Sequence, residues 1–108
     1  MFSQEVSVIV FDIDRFKAYN NSFGHKFGDK LLQEAANRIA QQLNEEVVLV
    51  ARMGGNEFAV ILAQGLEDTL VIAKNLQDLM NQPFHVNSQE LRLTLSLGIS
   101  SFPSQAAE

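Results

Sequence analysis

The chain has 108 residues, 46 % of them hydrophobic, two histidines, no cysteine, a formal net charge of −5 and an isoelectric point near 4.9. A chain of this size buries one core, so residues 1–108 are read as a single domain; its acidity excludes a sequence-independent grip on nucleic acid, which needs a basic face, and the missing thiols exclude disulfides and thiolate metal sites. No apolar run approaches the roughly 20 residues that cross a bilayer, and Met1-Phe2-Ser3-Gln4-Glu5 lacks the basic and apolar regions of an export signal, which predicts a soluble, cytoplasmic domain without direct membrane contact.

Val6 to Phe11 is a continuous apolar, β-branched run that stops at Asp12, as expected of a central strand covered on both faces. A short helix is predicted from Asp14, with that carboxylate as its N-cap and Gly24 as its end. From Asp29 to Leu43, Leu31, Leu32, Ala35, Ala36, Ile39, Ala40 and Leu43 recur at a helical period, while Gln33, Glu34, Asn37, Arg38, Gln41 and Gln42 supply the wet face. Val47 to Ala51 and Phe58 to Ala63 read as strands of a hairpin around Met53-Gly54-Gly55-Asn56, where glycines accept positive φ at no steric cost. Glu67 to Met80 reads as a second long helix with Leu70, Ala73, Leu76 or Gln77, and Met80 on one face. After Phe84 to Val86, the residues Leu91, Leu93, Leu95, Leu97 and Ile99 alternate with polar or small ones, the pattern of a half-buried strand. The order predicts an α/β (α+β) sandwich, a mostly antiparallel central sheet flanked by helices.

Asp12 and Asp14 stand at the end of the first strand, where hard oxygen donors suit Mg2+, an ion that takes one or two carboxylates together with substrate phosphates. Taken alone, Asp14 serves equally as an N-cap, Asp12 as a turn residue, and Gly54-Gly55-Asn56 as a plain tight turn. The ordered set changes this. Phe11-Asp12-Ile13-Asp14-Arg15-Phe16-Lys17, Asn20-Asn21, Gly24-His25, Gly28-Asp29, Arg52 and Gly54-Gly55-Asn56-Glu57-Phe58 occur in succession, followed by Leu95-Ser96-Leu97-Gly98-Ile99-Ser100.

These stretches resemble the successive signatures of the GGDEF family of diguanylate cyclases, from about Val6 to Phe102. The resemblance implies a nucleotide-cyclase or palm-like fold and a reaction in which two GTP molecules, one per domain of an antiparallel homodimer, condense into cyclic di-GMP with Mg2+. It implies that Asp12, the Ile13 carbonyl and position 56 hold the metal, and that Asn20 and Asp29 bond the guanine or ribose. It also puts His25 and Phe16 in the same pocket, Lys17 near the phosphates, Gly54 and Gly55 against the nucleotide, and Glu57 beside the sugar and metal. Fused sensor or phosphodiesterase (EAL) modules are implied partners.

Three departures stand out. Active members carry an acid where this chain has Asn56, and an amide can neither take a proton nor lend a negative charge to a divalent ion; losing a general base costs about 100 to 10,000-fold in rate. Little or no cyclase activity is therefore expected, the domain serving instead as a regulatory, GTP-binding or dimerisation module, with an active cyclase and a ligand-free scaffold as alternatives. The family's leading helix and its trailing helix, with a phosphate-gripping lysine and arginine, have no counterpart between Met1 and Glu108. The arginine and aspartate of the product-inhibition motif are replaced by Glu45 and Val48, so feedback inhibition there is not expected.

Overall fold

A computed structural model describes residues 5–42 and 47–103, in the order β1 (Glu5–Ile13), α1 (Phe16–Phe23), α2 (His25–Gln42), β2 (Val47–Gly54), β3 (Glu57–Leu62), α3 (Leu66–Met80), β4 (Phe84–Val86), β5 (Gln89–Leu91) and β6 (Leu95–Pro103). The strands β2-β3-β1-β6 form one antiparallel sheet, and β4 and β5 a separate hairpin. This is the predicted α/β sandwich.

Side chains alternate across a strand, so Ser7, Ile9, Phe11 and Ile13 of β1 share one face, and all four are buried. Against that face pack Phe27, Leu31, Leu32, Ala35 and Ile39 of α2 and Ala73, Leu76 and Met80 of α3. Phe11 stacks on its cross-strand partner Phe58, with ring centroids 5.2 Å apart and planes inclined by 12°. Each such side chain contributes about 1.5–3 kcal/mol on burial, so this layer is the main source of stability. Coverage of β1 on both faces is not found: the other face carries Val6 and Val10, each 38 % exposed, and no element covers it among the described residues. An unbroken β-branched run has the same sequence whether one or both of its faces are covered.

Several boundaries differ from expectation for identifiable reasons. Asp14 is not the N-cap of α1; that position is Arg15, in the left-handed region at φ 63°, with no side-chain cap. The helix α2 begins at His25, a turn before Asp29, because Phe27 extends the buried stripe backward and Gly24, at φ 93°, makes the break from α1. The expected end at Leu43 lies outside the described residues. Ala40 is exposed, and Arg38, expected on the wet face, instead donates to the carbonyls of Leu79, Gln82 and Pro83 at 3.1, 2.8 and 2.7 Å and lies 3.5 Å over the Phe84 ring. It thereby caps the last turn of α3 from a neighbouring helix.

The buried stripe of α3 is Thr69, Ala73, Leu76 and Met80, and Leu70 is 51 % exposed. Both Thr69 and Leu70 are helical neighbours of Ala73, so spacing alone does not choose between them. The alternating run from Leu91 to Ile99 keeps its periodic burial but is not one strand. Residues 92–94 leave the ladder because the Leu93 N–H donates to Met80 O at 3.0 Å and Thr94 O accepts from the Asp14 N–H at 3.0 Å. The β4–β5 turn has Asn87 at φ 49° and Ser88 at φ 70°, the two positive angles that let a two-residue hairpin follow the strand twist.

Candidate functional site

The end of β1 and the hairpin tip meet because β1 and β3 are neighbours. Asp12 pairs with Glu57 on β3 and with Ser96 on β6, so the three side chains share the open face of the sheet. They line a shallow groove of about 330 Å3 with Leu97 and Gly98. Both acids are exposed, and they lie side by side on adjacent strands, where like charges repel. At the tip, Gly54 at φ 140° and Gly55 at φ 54° adopt conformations that side-chain-bearing residues rarely tolerate, and Arg52 Nε donates to Gly55 O at 3.1 Å.

Asn56 turns inward. Its Nδ2 donates to the Ile13 carbonyl at 2.8 Å, while its own backbone carbonyl accepts from the Ile13 N–H at 3.3 Å. Two residues that the family resemblance assigns to a metal ion are thus bonded to each other.

The helical corner holds a second group. Asn20, on α1, is half-buried, and its Oδ1 is buried without a partner. It lies against Gly28 of α2, where a Cβ would overlap Asn20 Oδ1 and come within 3.1 Å of the Phe16 ring. The glycine is therefore required by this close approach rather than by its backbone angles. Phe16 itself is in the core at 8 % exposure, below the corner. His25 and Lys17 are exposed at the first turns of α2 and α1. Asp29 and Arg52 line opposite sides of a groove of about 470 Å3 between α2 and the hairpin, floored by Leu32, Val50 and Phe58.

Asp14 has a role that no local pattern announces. Its carboxylate accepts from Thr94 Oγ1 at 2.7 Å and from Ser96 Oγ at 2.6 Å, contacts 80 and 82 residues away in sequence. These hydroxyls, Ser96 first and Thr94 second, hold its pKa below the ordinary carboxylate value, and burial opposes them only weakly. The acid fastens the β1–α1 corner to the start of β6, and neither Thr94 nor Ser96 stood out for such a role.

The bond between Asn56 and Ile13 weakens the donor set that the resemblance assigns to the metal. Of Asp12, Ile13 and Asn56, only Asp12 offers a free carboxylate, with Glu57 as a second one on the adjacent strand. A magnesium ion that sheds its waters reluctantly gains little from a carbonyl already engaged with an amide. At the corner, the Asn20 Oδ1 acceptor is buried without a partner, which costs stability.

Comparison with known proteins agrees with this fold. The family described as "Diguanylate cyclase, GGDEF domain" matches residues 2–108. The Pseudomonas aeruginosa diguanylate cyclase TpbB is 40 % identical over 106 residues, covering 95 % of this chain and 24 % of that protein. The bifunctional diguanylate cyclase/cyclic di-GMP phosphodiesterase MucR of the same organism is 36 % identical over 98 residues, covering 90 % of this chain and 14 % of MucR. The crystal structure of the TpbB GGDEF domain superposes with a TM-score of 0.84 at 40 % identity, over 92 % of this chain and 63 % of that one. The chain therefore spans a quarter or less of the length of these two curated relatives.

Proposed function

The chain belongs to the GGDEF domain family, by a match that runs from residue 2 to residue 108, and on that premise we infer that it is a signature-degenerate GGDEF domain of a cyclic di-GMP signalling protein, a regulatory module that receives GTP at its helical corner without converting it. The observation that carries this reading is the 2.8 Å bond from Asn56 Nδ2 to the Ile13 carbonyl. At the position where active members carry an acid, this chain has a neutral donor that already occupies one of the oxygens the reaction would draw on.

In this reading Asn20 Oδ1 accepts from the guanine edge, Asp29 accepts from a base or ribose donor, and Lys17 and Arg52 supply countercharge to the phosphates. In active relatives Mg2+ supplies charge neutralisation and an activated hydroxyl; here Asp12 and Glu57 would be left to hold it without an acid at position 56. Without a base at position 56, the attacking 3′-hydroxyl keeps its proton. The domain then acts by binding and by pairing with a second GGDEF domain. MucR joins cyclase and phosphodiesterase activities in one protein, which supports a parent protein with sensor or EAL modules.

The rival reading is an active cyclase in which Asp12 and Glu57, facing each other across β1 and β3, suffice. Incubation of the protein with GTP and Mg2+, followed by chromatography for cyclic di-GMP, separates the two. We expect no product above background from the wild type and a rise in the Asn56→Asp variant. Rapid wild-type turnover overturns the proposal.

A further inference from the structure

The sheet β2-β3-β1-β6 has two edges, and they differ. The register of β2 against β3 shifts between Val47 and Leu49 and again between Arg52 and Gly54, and Arg52 places a cation on that strand. Bulges and charges are the devices that keep an edge strand from pairing with another chain. The β6 edge has neither. It runs beside β1 in unbroken register, from Glu5 opposite Pro103 to Ile13 opposite Leu95, and carries no charged residue between Leu95 and Pro103. No strand lies on its outer side among the described residues, so every second residue of β6 turns its backbone polar groups away from β1 without a ladder partner. On the helix-covered face, Ile9 and Phe11 of β1 are buried, whereas their β6 neighbours Ile99 and Leu97 are only half-buried. The apolar row is unfinished at the rim of the sheet, where a further strand would continue it.

Unpaired backbone groups in a row call for an extended strand, and an uncharged strand meets no repulsion from its own copy. From this edge we propose that β6 pairs with β6 of a second copy of this chain, antiparallel about a two-fold axis at Gly98, so that the two sheets become one. In that register Leu97 of each copy lies opposite Ile99 of the other, which completes both apolar rows, and Ser96 lies opposite Ser100. Centring the axis on Ile99 would instead set Leu97 against Ser101. The contact is isologous, and the bulged β2 edge does not extend it, so association stops at two copies. Strand addition covers a small area, which makes this a weak and reversible dimer. It gives the domain pairing proposed above a surface and needs neither GTP nor Mg2+, so its failure leaves the reading of the GTP corner untouched.

The test uses the chain without nucleotide or metal, by sedimentation velocity and by amide exchange in NMR spectra, at about 10 μM and about 1 mM, a range that brackets a weak dimer. A dimer is expected at the higher concentration, and there alternate amides of β6, free to exchange in the monomer, become protected. A chain that stays monomeric at both concentrations overturns the proposal. So does a dimer packed through the open face of the sheet, which would leave those amides exchanging. A Cβ at Gly98 meets nothing within 4 Å, so Gly98→Lys spares the fold while setting like charges opposite each other, and dimer affinity should drop tenfold or more. The chain has no cysteine of its own. Directly opposite Cα atoms lie about 4.5–5.5 Å apart, within disulfide reach, so oxidation should link Gly98→Cys into a dimer and leave Val71→Cys, exposed on α3, unlinked. Undiminished dimerisation of Gly98→Lys, or equal linkage at both positions, overturns the pairing.

Discussion

At the α1–α2 corner a buried acceptor, Asn20 Oδ1, has no partner, and the bare backbone of Gly28 makes room for it. At the hairpin tip, by contrast, the Ile13 carbonyl, the Asp14 N–H and the Asn56 amide nitrogen are engaged with protein partners. Both regions carry residues of one family signature, yet one holds an unpaired acceptor and the other has its polar groups engaged internally. An orphaned acceptor costs stability until something binds, whereas a satisfied one gains nothing from a newcomer. The lesson is that retention of a motif in sequence and retention of its chemistry are separable, region by region.

The largest effect expected is at Gly28. In Gly28→Val the new side chain overlaps Asn20 Oδ1 and the Phe16 ring, so the corner must open. Stability should fall by about 1–3 kcal/mol in urea denaturation, and GTP affinity by tenfold or more in calorimetry. Unchanged affinity would break the assignment of the ligand site to the corner.

Asn20→Ala sharpens the same point with the opposite stability signature. It removes the unpaired atom, so stability should hold or rise slightly while GTP binding weakens by about tenfold, the worth of one well-placed hydrogen bond. A loss of stability matching the loss of binding would mean that Asn20 serves the fold and not a ligand.

The smallest effect expected concerns acid. Because Ser96 and Thr94 hold the Asp14 pKa below its unfolded value of about 3.9, Asp14 stabilises fully above that value, and the benefit disappears as pH falls through the lowered folded value. Asp14→Asn should therefore be less stable than the wild type at about pH 7 and converge with it near the acid limit, in urea midpoints taken across the range. Asp14 is only half-buried, so solvent screening keeps the difference small. A gap that persists into strong acid would show that geometry, and not charge, holds the β1–α1 corner.

Much of this was legible in the chain itself. The hairpin and the two long helices follow from periodicity and from glycines placed where φ must be positive. What could not be read were choices between equivalent neighbours and contacts across long separations. Thr69 and Leu70 fit the α3 stripe equally well by spacing, and the leucine is the one left in solvent. Asp14 fits an N-cap locally, but partners 80 and 82 residues downstream claim its carboxylate. Arg38 has the spacing of a surface residue, and only the folded position of the α3 terminus and Phe84 explains it. At the site, Asn56 announced a lost charge, but not that its amide would engage Ile13, since that bond depends on the register of β1 against β3.

The contrast between the unpaired acceptor at the corner and the engaged tip is tested most directly by calorimetric titration of the protein with GTP, once in EDTA and once in excess Mg2+. The account predicts heat of binding in both, with the same affinity. Heat that develops only when Mg2+ is present would contradict it.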